Sequence, residues 1–185
     1  EDYDNGKRGT CLLYGVTGSG KTEVYLALIE QVLAKNKQVI VLIPEISLTN
    51  QTVRRFYERV GERIAVINSR MSKGEKSDAC ERIRAGEADV IIGARSALFA
   101  PTERLGLIII DEEHDGAYKS DTSPKYHARE TAVYRASLCG ASVVLGSATP
   151  SVEAYARALN GEYKLWTLKK RAGNATLPTT RIIDL

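Results

Sequence analysis

Two rhythms of apolar and polar positions alternate along this chain. Short runs that are apolar at nearly every position (residues 10–14, 38–43, 64–67, 89–93, 107–110 and 142–146) read as strands covered on both faces. Between them, apolar residues recur every three or four positions. Val24, Leu28 and Val32, with Tyr25, Ile29 and Leu33 beside them, give a broad stripe that predicts a helix over 21–35. Asn36 marks its end. A second helix is expected over 48–60, its Arg54, Arg55, Glu58 and Arg59 forming a solvated face. Ser72-Lys73-Gly74-Glu75 has capping-box spacing and opens a third helix, with Gly86 as its left-handed stop. Further helices are expected over 127–138, stopped by Gly140, and over 151–159. Residues 163–168 read as an edge strand. Strands alternating with helices predict an α/β fold around a mainly parallel sheet.

Composition narrows this only a little. The chain has 185 residues, 43% hydrophobic and 26% charged, enough for one domain with its own core. A net charge of +3 permits a nucleic-acid partner without requiring one. Cys11, Cys80 and Cys139 lie too far apart for a paired metal or disulfide spacing. They are expected to be reduced, small buried hydrophobes in a cytoplasmic setting. No apolar run reaches the ~20 residues of a membrane span, and no signal peptide opens the chain. The chain starts without Met and ends on Ile182-Ile183-Asp184-Leu185, so both ends read as cut from something longer.

Chemistry enters after the first strand. Gly15-Val16-Thr17-Gly18-Ser19-Gly20-Lys21-Thr22 has the spacing of a phosphate-binding loop. Glycines at 15, 18 and 20 let the backbone turn tightly, with Thr17 and Ser19 between them, so that several N–H groups face one anion. Lys21 is then the contact to the β- and γ-phosphates of ATP, and Thr22 supplies a hydroxyl to Mg²⁺. A glycine-rich turn that binds nothing is the competing reading, and the strand before and helix after the loop weigh against it.

The fifth apolar run ends on Asp111-Glu112-Glu113-His114. Ligands collect at the carboxyl ends of strands in open α/β sheets, so this cluster and the phosphate loop are expected on one crevice. Asp111 is placed to hold Mg²⁺ through water, and Glu112 to orient or deprotonate the attacking water. A solvated acidic turn is the alternative.

These motifs, with Gly146-Ser147-Ala148-Thr149, resemble the first motor lobe of a superfamily 2 DExH helicase. Finer segments resemble its bacterial replication-restart members: Thr22-Glu23-Val24-Tyr25, Ile43-Pro44-Glu45-Ile46-Ser47-Leu48-Thr49, Arg95-Ser96-Ala97-Leu98-Phe99, Asp111-Glu112-Glu113-His114-Asp115 and Tyr126-His127-Ala128-Arg129. The likeness runs from about Leu12 to Leu185. It implies a RecA-like P-loop NTPase fold, three layers α/β/α, with an N-terminal remainder at 1–9, an ATP-binding lobe at 10–168, and a linker with the first strand toward a second lobe at 169–185.

The resemblance also implies contacts. Segments 44–51 and 93–97 are implied to touch the DNA backbone through Ser47, Thr49, Arg95 and Ser96, as hydroxyls and free N–H groups position a phosphate without reading sequence, with ordinary capping and turn chemistry as the alternative for each hydroxyl. Ala94 stands where the family more often carries Thr, so one backbone contact fewer is implied. Residues 118–129 resemble an aromatic-rich loop that couples single-strand binding to hydrolysis, with Tyr118, Tyr126 and His127 stacking on bases and Lys119, Lys125 and Arg129 near phosphates. Tyrosines packed on the body of the domain are the competing reading, and His127 taken by itself reads as structural. Ser147 and Thr149 are implied to bond His114 or the carboxylates and so link nucleotide state to the lobe interface.

The family's adenine-reading glutamine segment has no match in residues 1–9. Its second lobe with an arginine finger, its DNA-binding domains and its zinc-binding cysteines are not in this sequence, so no zinc site is expected here. The implied partners are single-stranded and forked DNA, primosome proteins and single-stranded DNA-binding protein, and the implied activity is ATP-driven 3′-to-5′ unwinding in replication restart. This piece alone is expected to bind ATP and DNA weakly with little turnover. A non-enzymatic nucleotide-dependent DNA clamp and another superfamily 2 RNA or DNA translocase are the alternatives; nothing suggests the acceptor pocket of a small-molecule kinase.

Overall fold

A computed structural model describes residues 8–171. The expected segment at 182–185, the glutamine-segment reading for residues 1–7 and most of the linker lie outside the described residues. Seven strands form one parallel sheet: β1 (Thr10–Gly15), β2 (Gln38–Leu42), β3 (Ile64–Ile67), β4 (Val90–Gly93), β5 (Leu105–Ile110), β6 (Ser142–Ser147) and β7 (Lys164–Leu168). Their order is β3-β4-β2-β5-β6-β1-β7. Every neighbouring pair runs parallel, with β1 seated between β6 and β7.

Alternation along the strands splits the core into two layers. Leu12, Ile40, Leu42, Ile108 and Ile110 pack with Ile83 of α3 (Lys73–Arg84), Ala128, Ala132 and Ala136 of α4 (Ala128–Cys139), and Ala154 and Ala158 of α5 (Val152–Leu159). Leu13, Val39, Val41, Leu107 and Ile109 pack with Tyr25, Leu26, Ile29 and Val32 of α1 (Lys21–Leu33) and Phe56 of α2 (Asn50–Val60). The alanine face of α4 lets that helix lie close on β5 and β6. The chain is therefore a RecA-like α/β/α sandwich. Each Ile or Leu withdrawn from water on both faces of β2 and β5 contributes about 1.5–3 kcal/mol toward it.

Helix ends follow the side chains that cap them. Thr49, Ser72 and Ser151 accept the N–H groups of Thr52, Glu75 and Ala154, and Ser72 with Glu75 closes the expected capping box. Two short 3₁₀ turns, Arg95–Phe99 and Gly116–Tyr118, lie in stretches where no periodicity announces them. Of the cysteines only Cys11 is a buried hydrophobe, with burial raising its thiol pKa to about 12; Cys139 is exposed, on the last, outward turn of α4. No helix among the described residues is long and apolar enough to cross a membrane.

The order of strands creates a crevice. After β1 the chain turns to the face carrying α1 and α2, whereas after the adjacent β6 it turns to the face carrying α5. Loops that leave neighbouring strands in opposite directions open a cleft at the strand ends.

Candidate active site

At the end of β1, Gly18 and Gly20 adopt φ of 77° and 89°, the left-handed region that glycine enters without penalty. Gly20 caps α1 without a side-chain hydrogen bond, so the positive end of the helix faces the loop. Gly15 has no room for a side chain: a Cβ there would lie 2.5 Å from Ser19 Oγ. Lys21 Nζ donates to the Gly15 carbonyl at 2.8 Å. Ser19 Oγ is the one buried side-chain polar atom among the described residues with no hydrogen-bond partner. Such an orphan inside a turn of donors matches a loop shaped for oxyanions. Thr17 is exposed at its tip.

Across β6, the end of β5 delivers the acidic cluster. Asp111 Oδ1 accepts a 2.8 Å hydrogen bond from the Tyr25 hydroxyl of α1, and its carbonyl accepts from Tyr118 at 2.7 Å. Burial raises the Asp111 carboxyl pKa, opposed by the Tyr25 bond and the nearby Lys21 charge. Glu112 follows with φ of 48°, a left-handed conformation that costs a non-glycine residue on the order of 1–3 kcal/mol and is held by what surrounds it. Burial and the neighbouring Asp111 charge raise its pKa too, the direction a proton acceptor needs to work near neutrality. Glu113 turns the other way, into the protein. It is 1% exposed and meets Arg129 at 3.0 Å, the Ser151 N–H at 2.7 Å and the Ser151 hydroxyl at 3.0 Å. His114 lies between the strands: Nδ1 shares a 2.8 Å hydrogen bond with Ser147 Oγ, and Nε2 a 3.2 Å one with Thr149 Oγ1. Its Nδ1 also lies 3.7 Å from Glu112.

Thr22, Tyr25, Ser47, Thr52, Arg55 and Asp111 line one cavity of about 130 Å³. Motifs distant in sequence thus share a wall. The Thr22 hydroxyl and Asp111 carboxylate are hard oxygen donors, a pair that suits Mg²⁺ completed by phosphate oxygens. No group of three or more His, Cys, Asp or Glu is arranged to hold a metal among the described residues.

Sequence reasoning missed how Tyr25 and Gly146 cooperate here. Tyr25 is 1% exposed and passes over β6 at Gly146, where a Cβ would lie 1.6 Å from its hydroxyl. A tyrosine inside an otherwise aliphatic helix stripe was the available signal, because a buried phenol needs a partner.

A second hollow, about 260 Å³, lies beside the ends of β2 and β4, lined by Pro44, Glu45, Arg95, Ser96 and Tyr126 among others. Ser96 is exposed on its wall, whereas Ser47, also exposed, lines the first cavity. Tyr126 packs edge-on against Phe99 at 5.2 Å, with the Arg95 guanidinium 5.4 Å over its ring. Arg95 Nη1 also donates to the carbonyls of Ala117 and Lys119, which ties this loop to the aromatic segment.

Of the expected nucleic-acid contacts, Tyr118 and Arg129 are turned into the fold, while His127 and Thr49 each cap a helix. Tyr118 is 1% exposed, its ring in the core and its hydroxyl held by Asp111, so it has no face free for a base. Arg129 is 6% exposed and closed into Glu113, Glu130 and Ser151, so its charge is compensated inside the fold. His127 caps α4, its Nδ1 accepting the Arg129 N–H at 3.2 Å. The Thr49 hydroxyl caps α2 by accepting the Thr52 N–H at 3.2 Å, although the residue is exposed.

Comparison with known proteins agrees with this architecture. The DEAD/DEAH box helicase family model matches residues 4–158. The Replication restart protein PriA of Bacillus subtilis (strain 168) is 52% identical over 185 residues, all of this chain and 23% of that protein. The Replication restart protein PriA of Chlamydia trachomatis serovar D is 49% identical over 95% of this chain and 24% of its own length. The chain thus spans about a quarter of the length of these curated relatives. Among solved structures, RecG bound to a three-way DNA junction superposes with a TM-score of 0.65 over 91% of this chain and 22% of its own, at 24% identity, a likeness of fold.

Proposed function

The chain belongs to the DEAD/DEAH box helicase family, and from that premise we propose that it is the first, ATP-binding motor lobe of a replication-restart DNA helicase. The observation that carries the proposal is the cavity lined jointly by Thr22 and Asp111. In this reading Gly15, Thr17, Gly18, Ser19 and Gly20 with the start of α1 wrap the phosphates, and Lys21 leaves the Gly15 carbonyl to meet the β- and γ-phosphates. Thr22 and Asp111 would hold Mg²⁺, which would supply charge neutralisation to the phosphates. Glu112 takes the proton from the attacking water. His114, shared between Glu112, Ser147 and Thr149, passes the state of that site to the β6 end and the lobe boundary. Single-stranded or forked DNA lies along Ser47, Thr49, Arg95, Ser96 and Tyr126, with backbone contacts dominating. Primosome proteins and single-stranded DNA-binding protein are the proposed partners of the whole helicase, acting in the cytoplasm.

Two variants test the reading together. Lys21→Ala is expected to weaken binding of a fluorescent ATP analogue at least tenfold, as loss of a charge-assisted contact implies. In the full-length protein, Glu112→Gln is expected to retain that binding while slowing DNA-stimulated hydrolysis by about 10²–10⁴-fold. Unchanged affinity in the first variant removes the phosphate-loop assignment; a normal rate in the second moves the base elsewhere.

A further inference from the structure

Helix α2 carries three arginines with different surroundings. Arg54 pairs with Glu58 at 2.8 Å, and Arg59 with Glu30 of α1. Arg55 has no hydrogen-bond or ion-pair partner among the described residues, and it lines the cavity that Thr22 and Asp111 share. Its orientation follows from helix geometry. Phe56 is buried against the sheet, and Thr52, Arg55 and Phe56 fall on one side of the helix at spacings of three and four. Arg55 is exposed, as the solvated-face pattern expects, and the burial of Phe56 one position on sets that exposed side chain at the rim of the cavity.

The cavity is amphoteric. Its wall offers one carboxylate, Asp111, hydroxyls from Thr22, Tyr25, Ser47 and Thr52, and one guanidinium. A guanidinium with five donors and no carboxylate to satisfy it is a phosphate group's natural counterpart. The helix that carries it is also fastened to the segment before it. Thr52 Oγ1 donates to the Ser47 carbonyl at 3.0 Å, and the Thr52 N–H bonds the Thr49 hydroxyl. Residues 47 and 49 are therefore bonded to the turn of α2 that carries Arg55.

We propose that Arg55 contacts the terminal phosphate of bound ATP across this cavity and so ties the position of the Ser47–Thr49 segment to the presence of that phosphate. The inference rests on the nucleotide reading above and adds to it a phosphate-sensing residue on α2. It also gives the DNA-facing segment 44–51 a direct link to nucleotide state, separate from the route through His114.

The test compares ATP with ADP in the full-length protein. Arg55→Ala is expected to weaken binding of a nonhydrolysable ATP analogue about tenfold while changing ADP affinity less than about twofold, since only the triphosphate carries the contacted group. Arg55→Lys is expected to recover part of the ATP affinity. In Arg55→Ala, the change in single-stranded DNA affinity produced by the analogue is expected to shrink as well. Equal loss of ATP and ADP affinity in both variants, or a lowered urea midpoint that accounts for the loss, overturns the proposal. If Lys21→Ala abolishes ATP binding while Arg55→Ala leaves ATP affinity intact, the Arg55 inference alone falls. If neither variant changes ATP affinity, the nucleotide reading falls and takes this inference with it.

Discussion

The two hollows at the strand ends differ in how their polar groups are satisfied. Around the ends of β1, β5 and β6, most polar side chains bond one another. Tyr25 donates to Asp111, His114 sits between Ser147 and Thr149, and Glu113 is closed by Arg129 and Ser151. Beside β2 and β4, Ser96 is exposed, and Tyr126 rests at the surface on Phe99 and Arg95. The first region is preorganised, as a site must be when its dipoles are to meet developing charge without rearranging. The second keeps side chains that can adapt to a flexible strand. Residues 118–129 straddle both: Tyr118 and Arg129 belong to the first region, Tyr126 to the second.

Breaking the first region at its most buried ion pair gives the largest stability effect. Arg129→Ala leaves the Glu113 carboxylate, in a residue 1% exposed, without its cation. Removing one partner of a buried pair costs about 3–5 kcal/mol. Urea denaturation of the chain is expected to show that loss. A stable variant with weakened DNA affinity instead would return Arg129 to the DNA face.

A smaller but more local break is Gly146→Ala. The added methyl meets the Tyr25 hydroxyl and ring, so Tyr25 must withdraw from Asp111. Overpacking of this kind costs about 1–3 kcal/mol. Tyr25→Phe in the same background removes the atom in the tightest clash and is expected to recover part of the loss, a coupling that a double-mutant cycle measures. Strict additivity of the two changes would mean that the ring and the glycine do not meet.

That contrast also explains what the sequence made legible. Runs such as 107–110 announce strands because a parallel sheet buries both faces, and all seven strands were readable to within a residue or two. Helix starts shifted where Thr49, Ser151 and His127 cap a helix rather than join it. Motif spacing gathered Lys21, Thr22, Asp111 and Glu112 because each stands next to a strand end. It could not pair Tyr25 with Asp111 or place Arg55 on the same cavity, since those meetings depend on how α1 and α2 lie across the sheet. Nor could polar composition tell which members of residues 118–129 turn inward. Tyr118 and Tyr126 look alike in a string of letters; only the first has a backbone carbonyl waiting beneath it.

The smallest expected effect tests that last distinction. Tyr126→Ala removes a half-buried ring whose neighbours are Phe99, exposed by 58%, and the half-buried Arg95 side chain. Little core packing is lost, so the urea midpoint is expected to move far less than in Arg129→Ala. A ring that stacks on a base contributes about 1–3 kcal/mol to single-strand binding, and affinity for a short single-stranded oligonucleotide is therefore expected to fall roughly tenfold. Because stacking tolerates any base, the loss is expected to be similar on thymine-rich and adenine-rich strands, whereas a lost backbone contact would show itself by flattening the salt dependence. A large drop in stability with DNA affinity intact would place Tyr126 with Tyr118, and the exposed region would then keep only its hydroxyls and Arg95 to meet a nucleic acid.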